Sequence, residues 1–299
     1  MSSILCVIDI DGWAFAKIGQ ALQKYSVNKV DVERFSKLHK KDLNSYDLIF
    51  SLVDFRPLQH FSDWKINPKK LLLGIRQDIF VRGCVKEFYD NEKLMRELCP
   101  NGFVCSNELI ASKFRTLNQT AYVFEGGVDH ELFFPKPNDS LHSPIMVSWA
   151  GSRDHFTEFR HFDVIQKACD ICGYIYNPGY REIQRRTEIE MAGFHREVYD
   201  IYCELDERSG RANGLLESLS TGKLCMALKG VGVNDKLIEH KVNGLLVDGS
   251  LRSVVKGMRR LVDHPEYRVK ARQTVIDEWT WESHIDGLDN IFKEVIDKR

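Results

Sequence analysis

The 299-residue chain has almost no net charge: 42 basic side chains against 43 acidic ones leave −1. Neither the first 140 residues nor the remainder accumulates charge of one sign. That excludes a protein built mainly to coat a polyanion or an anionic membrane through bulk charge. No apolar run approaches the roughly 18 residues that cross a bilayer, and there is neither an internal repeat nor a low-complexity segment. The N-terminal apolar run is short, lacks a basic lead-in and contains Asp9 and Asp11, so no cleavable signal is read there. A single Cys-x-x-Cys, Cys169 and Cys172, has no second pair to complete a zinc site. Most other cysteines lie in apolar runs such as ILCVIDI and KLCMAL, where a thiol packs as a small hydrophobe. Neither G-x-x-x-x-G-K-S/T nor H-E-x-x-H occurs. The expectation is a reduced chain, cytoplasmic or peripheral at a membrane, without a transmembrane segment.

What is present is alternation. SILCVIDI reads as a strand and AFAKIGQALQKY as an amphipathic helix; YDLIFSLV, KKLLLGI, GFVCS and TAYVFEG are further strands, with helical stretches between them. FFPKPNDSLHSP holds three of the eight prolines and breaks the rhythm. The alternation then restarts with IMVSWAGS and runs through FRHFDVIQKACDICG, YIYNP, EIEMAGFHREV, YDIYCEL, NGLLESLSTG and KLCMALKG. The pattern predicts an α/β protein of two Rossmann-like, doubly wound domains facing across a cleft. The expected division is 1–134, a linker at 135–144, 145–270, and a helical segment 271–299 that crosses back to the first domain and carries Trp279 and Trp281 as packing residues.

The stretch 209–247 carries the most chemistry. A strand, YDIYCEL, runs into a polar loop and then a helix with Glu217 one turn in. A loop feeding a helix N-terminus presents free amide N–H groups and a positive dipole end, which suits a phosphate. Glu217 is placed to accept from a ribose diol. The plain reading of the same residues is a structural helix with a solvent-facing glutamate.

S-G-R-A-N-G-L-L-E-S-L-S-T-G at 209–222, followed by VGVNDKLIEHKVNGLLV, resembles the donor domain of retaining glycosyltransferases of the GT-B fold, family 4 in particular. EGGVDHELFFP, VSWAGSRDHFTEFRHFDVI and MAGFHREVYDIYCEL resemble that family's interdomain segment, first C-domain strand with phosphate loop, and the segment before the motif. Together they cover about half the chain in the family's order. The resemblance implies transfer of a sugar from a nucleoside diphosphate sugar, with Glu217 on the ribose and Arg153 and Arg160 on the diphosphate. Gly12, Gly151, Ser152, Gly210, Asn213 and Gly232 would complete the donor site. No metal and no cofactor beyond the nucleotide sugar is implied. Two departures stand out. Arg160 replaces the family's lysine, exchanging a point charge for a planar fork. Ser209 stands where the first glutamate of the family's pair would contact the sugar; either Ser209 itself, a catalytic candidate with Arg153 and Arg160, hydrogen-bonds the sugar, or Glu207 two residues upstream reaches in.

In the N-terminal half, Gly12 falls at a strand-to-helix turn flanked by Asp11 and Trp13. His60 and Arg76 follow predicted strands, and these four side groups, Asp11, Trp13, His60 and Arg76, are the acceptor-side candidates. A metal site at Asp9-Ile10-Asp11 is the rival motif. The acceptor is expected to be a hydroxyl of a glycan, lipid or protein. A modified base in DNA is the alternative acceptor, a catalytically silent GT-B module the alternative class, and an epimerase of the same fold the least favoured reading.

Overall fold

A computed structural model describes residues 1–10, 14–53, 58–75, 97, 101–137, 140–151, 159–207 and 212–298. The chain divides into two units, one of Met1–Gly126 with Trp281–Arg299 and one of Gly127–Thr280.

The first unit is a parallel sheet in the order β2-β1-β3-β4-β5-β6. Its strands are β1 (Ser3–Ile8), β2 (Lys29–Arg34), β3 (Leu48–Ser51), β4 (Leu71–Ile75), β5 (Phe103–Cys105) and β6 (Ala121–Val123). The strands are apolar throughout because a parallel sheet is covered on both faces. In β1 the alternation sorts the two cores: Ile4, Cys6 and Ile8 meet helices α1 (Ala14–Tyr25) and α10 (Trp281–Asp297), while Leu5 and Val7 meet Phe61 of α2 (Leu58–Asp63) and Phe114 of α3 (Glu108–Thr116).

The second unit repeats the plan. Its sheet runs β13-β12-β11-β7-β9, all parallel, from β7 (Met146–Ser148), β9 (Ile175–Tyr176), β11 (Ile201–Glu204), β12 (Leu224–Leu228) and β13 (Leu245–Val247). A short pair, β8 (Ala150–Gly151) with β10 (Gly179–Tyr180), continues the β7–β9 pairing in the same register. The helices are α4 (Phe162–Cys172), α5 (Glu188–Glu197), α6 (Asn213–Ser220), α7 (Asn234–Leu237), α8 (Leu251–Asp263) and α9 (Tyr267–Glu278). On β11, Ile201 and Cys203 face a core shared with α4 and α8, and Tyr202 faces α6. Each sheet reverses its winding once, between β1 and β3 in the first and between β7 and β11 in the second. Open α/β sheets bind ligands beyond the carboxyl ends of the strands at such a reversal.

The division differs from the expected one at 135–144. Val128 N–H donates to the Trp279 carbonyl (3.0 Å), and Val128 pairs with Thr280. Phe133 is buried, and its carbonyl accepts from Ser220 Oγ (2.6 Å) and Arg272 Nη1 (2.9 Å). These bonds assign residues 127–137 to the second unit, upstream of the proline-rich stretch. The closing segment is two helices, not one. Trp279 caps α9 in the second unit, and Trp281 opens α10 in the first.

Candidate functional site

The winding reversal of the second sheet brings together the turn after β7, the end of β11 and the start of α6. Tyr202 stands at the centre. Its hydroxyl lies 3.3 Å from Glu204 Oε2, to which it donates, and 3.4 Å from the Ala150 amide. A Cβ on Gly214, at the first turn of α6, would lie 2.1 Å from that hydroxyl. Glycine is therefore required there for steric reasons. The N-cap position of α6, Ala212, offers no side-chain cap, unlike the serine or aspartate that commonly supplies an acceptor to the first amides of a helix.

Arg160, in the turn before α4, donates through Nε to Asp206 Oδ2 at 3.1 Å. Its guanidinium lies over the Trp149 ring, 4.9 Å from the centroid. Its Nη1 is buried and has no hydrogen-bond partner among the described residues; Asn213 Oδ1 and Trp149 Nε1 share that condition. Buried polar atoms are rarely left unpaired in a folded chain, which makes these three candidate contacts for a ligand. His161, in the left-handed conformation beside Arg160, bonds through Nε2 to Glu207 Oε1 at 2.8 Å. Glu207, the substitute considered for the glutamate absent at 209, is held by that contact.

Glu217 is 7% exposed, and Oε2 accepts from His195 Nε2 at 3.1 Å. His195 is fully buried, and its Nδ1 is braced by the Tyr199 hydroxyl and by Ser218 Oγ (3.1 Å). Ser218 in turn donates to the Gly214 carbonyl at 2.5 Å. Glu217 is thus a clamped carboxylate, and the solvent-facing alternative does not hold.

Glu204 ends β11 and is 5% exposed. Burial, and then the neighbouring Asp206, push its carboxyl up to about 8, against Arg160 and the Tyr202 hydrogen bond, which act in the opposite direction. Burial also raises Tyr202 and Cys203 well above their ordinary ranges.

Of the residues expected from sequence, Gly151, Arg160, Asn213 and Glu217 gather on this edge. Gly151 closes the β8–β10 ladder, where a Cβ would strike the Trp149 indole at 2.4 Å. Gly232 takes a positive φ in the turn after β12. Ser152, Arg153, Ser209 and Gly210, with Asp11, Gly12, Trp13 and Arg76 of the first unit, lie outside the described residues. His60 lies exposed on α2, its ring 5.4 Å from Phe35 and 5.6 Å from Trp64. Among the described residues no cluster of three or more histidine, cysteine or acidic side chains is arranged to hold a metal. No described helix is long and apolar enough to cross a membrane. Sequence reading missed Glu204 and His195. The signal for Glu204 was available, an acid inside the apolar run YDIYCEL. His195 carried none, because the partner that defines it lies 22 residues away.

No family model matches the chain, and no curated protein does. Solved structures do. Sucrose-phosphate synthase (tll1590) from Thermosynechococcus elongatus superimposes with a TM-score of 0.73 at 11% identity, over 100% of both chains. Anabaena Alr3699/HepE, in complex with UDP-glucose, does so at 0.70 and 12%, over 100% of this chain and 99% of the other. A glycosyltransferase from Rickettsia africae ESF-5 gives 0.68 and 12% with the same coverage. At these identities the likeness establishes architecture. The chain has the GT-B fold of glycosyltransferases, with two Rossmann-like units.

Proposed function

We propose that the protein is a retaining glycosyltransferase that takes a sugar from a nucleoside diphosphate sugar. The single observation that carries this reading is Glu217, held by His195 one turn into α6 at the reversal of the second sheet. A carboxylate fixed there accepts both hydroxyls of a ribose, as the acid of dinucleotide-binding folds does. The first amides of α6 and the Nη1 of Arg160 meet the diphosphate, with Arg153 as its second guanidinium. That HepE is solved with UDP-glucose supports a uridine nucleotide as the first donor to try.

In the reaction the bond from the anomeric carbon to the diphosphate oxygen breaks, and a bond to an acceptor oxygen forms. Negative charge grows on the phosphates, and fixed donors that point there lower the barrier. The acceptor hydroxyl gives up its proton to the leaving phosphate. Basic side chains and helix amides hold the diphosphate without a metal. The acceptor is a hydroxyl of a glycan, lipid or protein, and Gly12, Asp11, Trp13, His60 and Arg76 are the residues assigned to binding it. The reaction takes place in the cytoplasm or at a membrane surface facing it.

A thermal-shift screen against UDP-, GDP-, ADP-, CDP- and dTDP-sugars tests the reading. A donor at 100 times its dissociation constant adds about 2.7 kcal/mol of stability. Glu217→Ala should abolish the discrimination between UDP and 2′-deoxy-UDP and weaken donor binding by about tenfold or more, the loss of charged hydrogen bonds. Undiminished affinity and discrimination in that variant would place the nucleotide elsewhere.

A further inference from the structure

The diphosphate position just described contains an acid of its own. Glu204 ends the central strand at the winding reversal, buried, and among the described residues its carboxyl takes one hydrogen bond, from Tyr202. Arg160, the cation that acts on it, is committed through Nε to Asp206. The Tyr202 hydroxyl that holds Glu204 also meets the Ala150 amide and closes against Gly214. The carboxyl therefore sits between the turn after β7 and the first turn of α6, where a diphosphate and an ionised carboxylate would repel each other. Burying a carboxylate is costly, and the cost is relieved by taking up a proton.

We propose that Glu204 works in its protonated form as a hydrogen-bond donor to the diphosphate of the nucleotide sugar, so that nucleotide binding requires a proton on this residue. The inference rests on the donor-site reading above. The carboxyl O–H donates to a phosphate oxygen, and no covalent bond changes. Where Glu204 is ionised in the free protein, one proton is taken from solvent as the nucleotide binds. The groups that set the balance are Asp206 and Tyr202 beside it and Arg160 from the turn before α4. Burial and Asp206 favour the protonated form, and its midpoint of about 8 lies within reach of experiment.

The test is calorimetric titration of UDP into the full chain between about pH 7 and about pH 9, in two buffers of different ionisation heat. The phosphates of UDP, which lose their last proton near pH 6, are fully charged across that window. Above the midpoint, wild-type affinity should fall by about tenfold per pH unit, with up to one proton taken up per UDP bound. Glu204→Gln keeps an N–H donor that does not titrate, so its UDP affinity should be flat with no proton uptake. Asp206→Asn removes the neighbouring charge and frees Arg160, so the midpoint should move to lower pH. A flat wild-type profile, or a Glu204→Gln profile with the wild-type slope, overturns the proposal and leaves the donor site standing. The proton count on wild type needs no variant and decides the matter if Glu204→Gln does not fold. Absence of binding by UDP, GDP, ADP, CDP and dTDP at every pH overturns the donor-site reading and this inference together.

Discussion

Gly214 shows how narrowly single positions are set at this sheet edge. Its missing Cβ makes room for the Tyr202 hydroxyl 2.1 Å away, and Tyr202 is anchored from β11, so the methyl has nowhere to go. Gly214→Ala should cost about 1–3 kcal/mol by overpacking. Adding Tyr202→Phe should restore most of the loss in urea unfolding, since the clash is with the hydroxyl. An unaltered midpoint for Gly214→Ala would mean that helix α6 shifts freely. Glu204 makes a second residue-scale prediction, with a sign. Its folded-state midpoint of about 8 lies above the ordinary 4.5, so the folded protein holds a proton that the unfolded chain releases. Stability should decline as pH rises from about 5 to about 8. Glu204→Gln should therefore gain on wild type, by a few kcal/mol at most, across that same interval in thermal melts. These two residues also mark what sequence could tell. Glu217 was legible because its motif gives both the helix and the acid. Its clamp was not, since His195 and Tyr199 acquire that meaning only once α5 packs on α6.

At the scale of elements, period and composition revealed most of what formed. Strands buried on both faces read as apolar runs, and helices as amphipathic ones, because the parallel sheet imposes those patterns. The boundary at Gly127 was not legible. A proline-rich stretch announces a loop, whereas residues 128–133 belong to the second unit through their backbone carbonyls and amides, which composition does not report. Helix α10 belongs to the first unit, and one residue explains how it is seated. Asp289 is buried and accepts from Ser26 Oγ (2.6 Å), the Val27 amide (2.9 Å) and Asn28 Nδ2 (2.9 Å) in the turn between α1 and β2. Asp289→Ala leaves three donors without their acceptor and should destabilise the first unit by about 3 kcal/mol. The unfolding of the second unit, followed by a probe within 127–280, should be unchanged. A loss shared equally by both units would refute this assignment.

At the scale of the whole molecule, the two units are built from the chain in different ways. The second is continuous, Gly127–Thr280, and its core closes without any outside segment. The first is discontinuous: Trp281, Ile285, Leu288, Phe292 and Val295 of α10 are buried against Ile4, Cys6, Leu22 and Phe50. Fully burying a large apolar side chain contributes roughly 1.5–3 kcal/mol, so five of them together are as large as the margin of about 5–15 kcal/mol by which a domain is usually stable. Residues 1–126 alone should therefore lack a cooperative transition, whereas residues 127–280 alone should unfold cooperatively. Because Val128 pairs with Thr280, the two points where the chain passes between units are neighbours. A short glycine linker from Gly126 to Trp281 should then restore cooperative folding to the first unit. If 1–126 melts cooperatively without α10, the helix is an accessory and the first unit is complete before it. If the linked version folds and the truncated one does not, the last 19 residues are part of its core, and the order of synthesis has a consequence. The second unit can fold while the first still waits for the C-terminus.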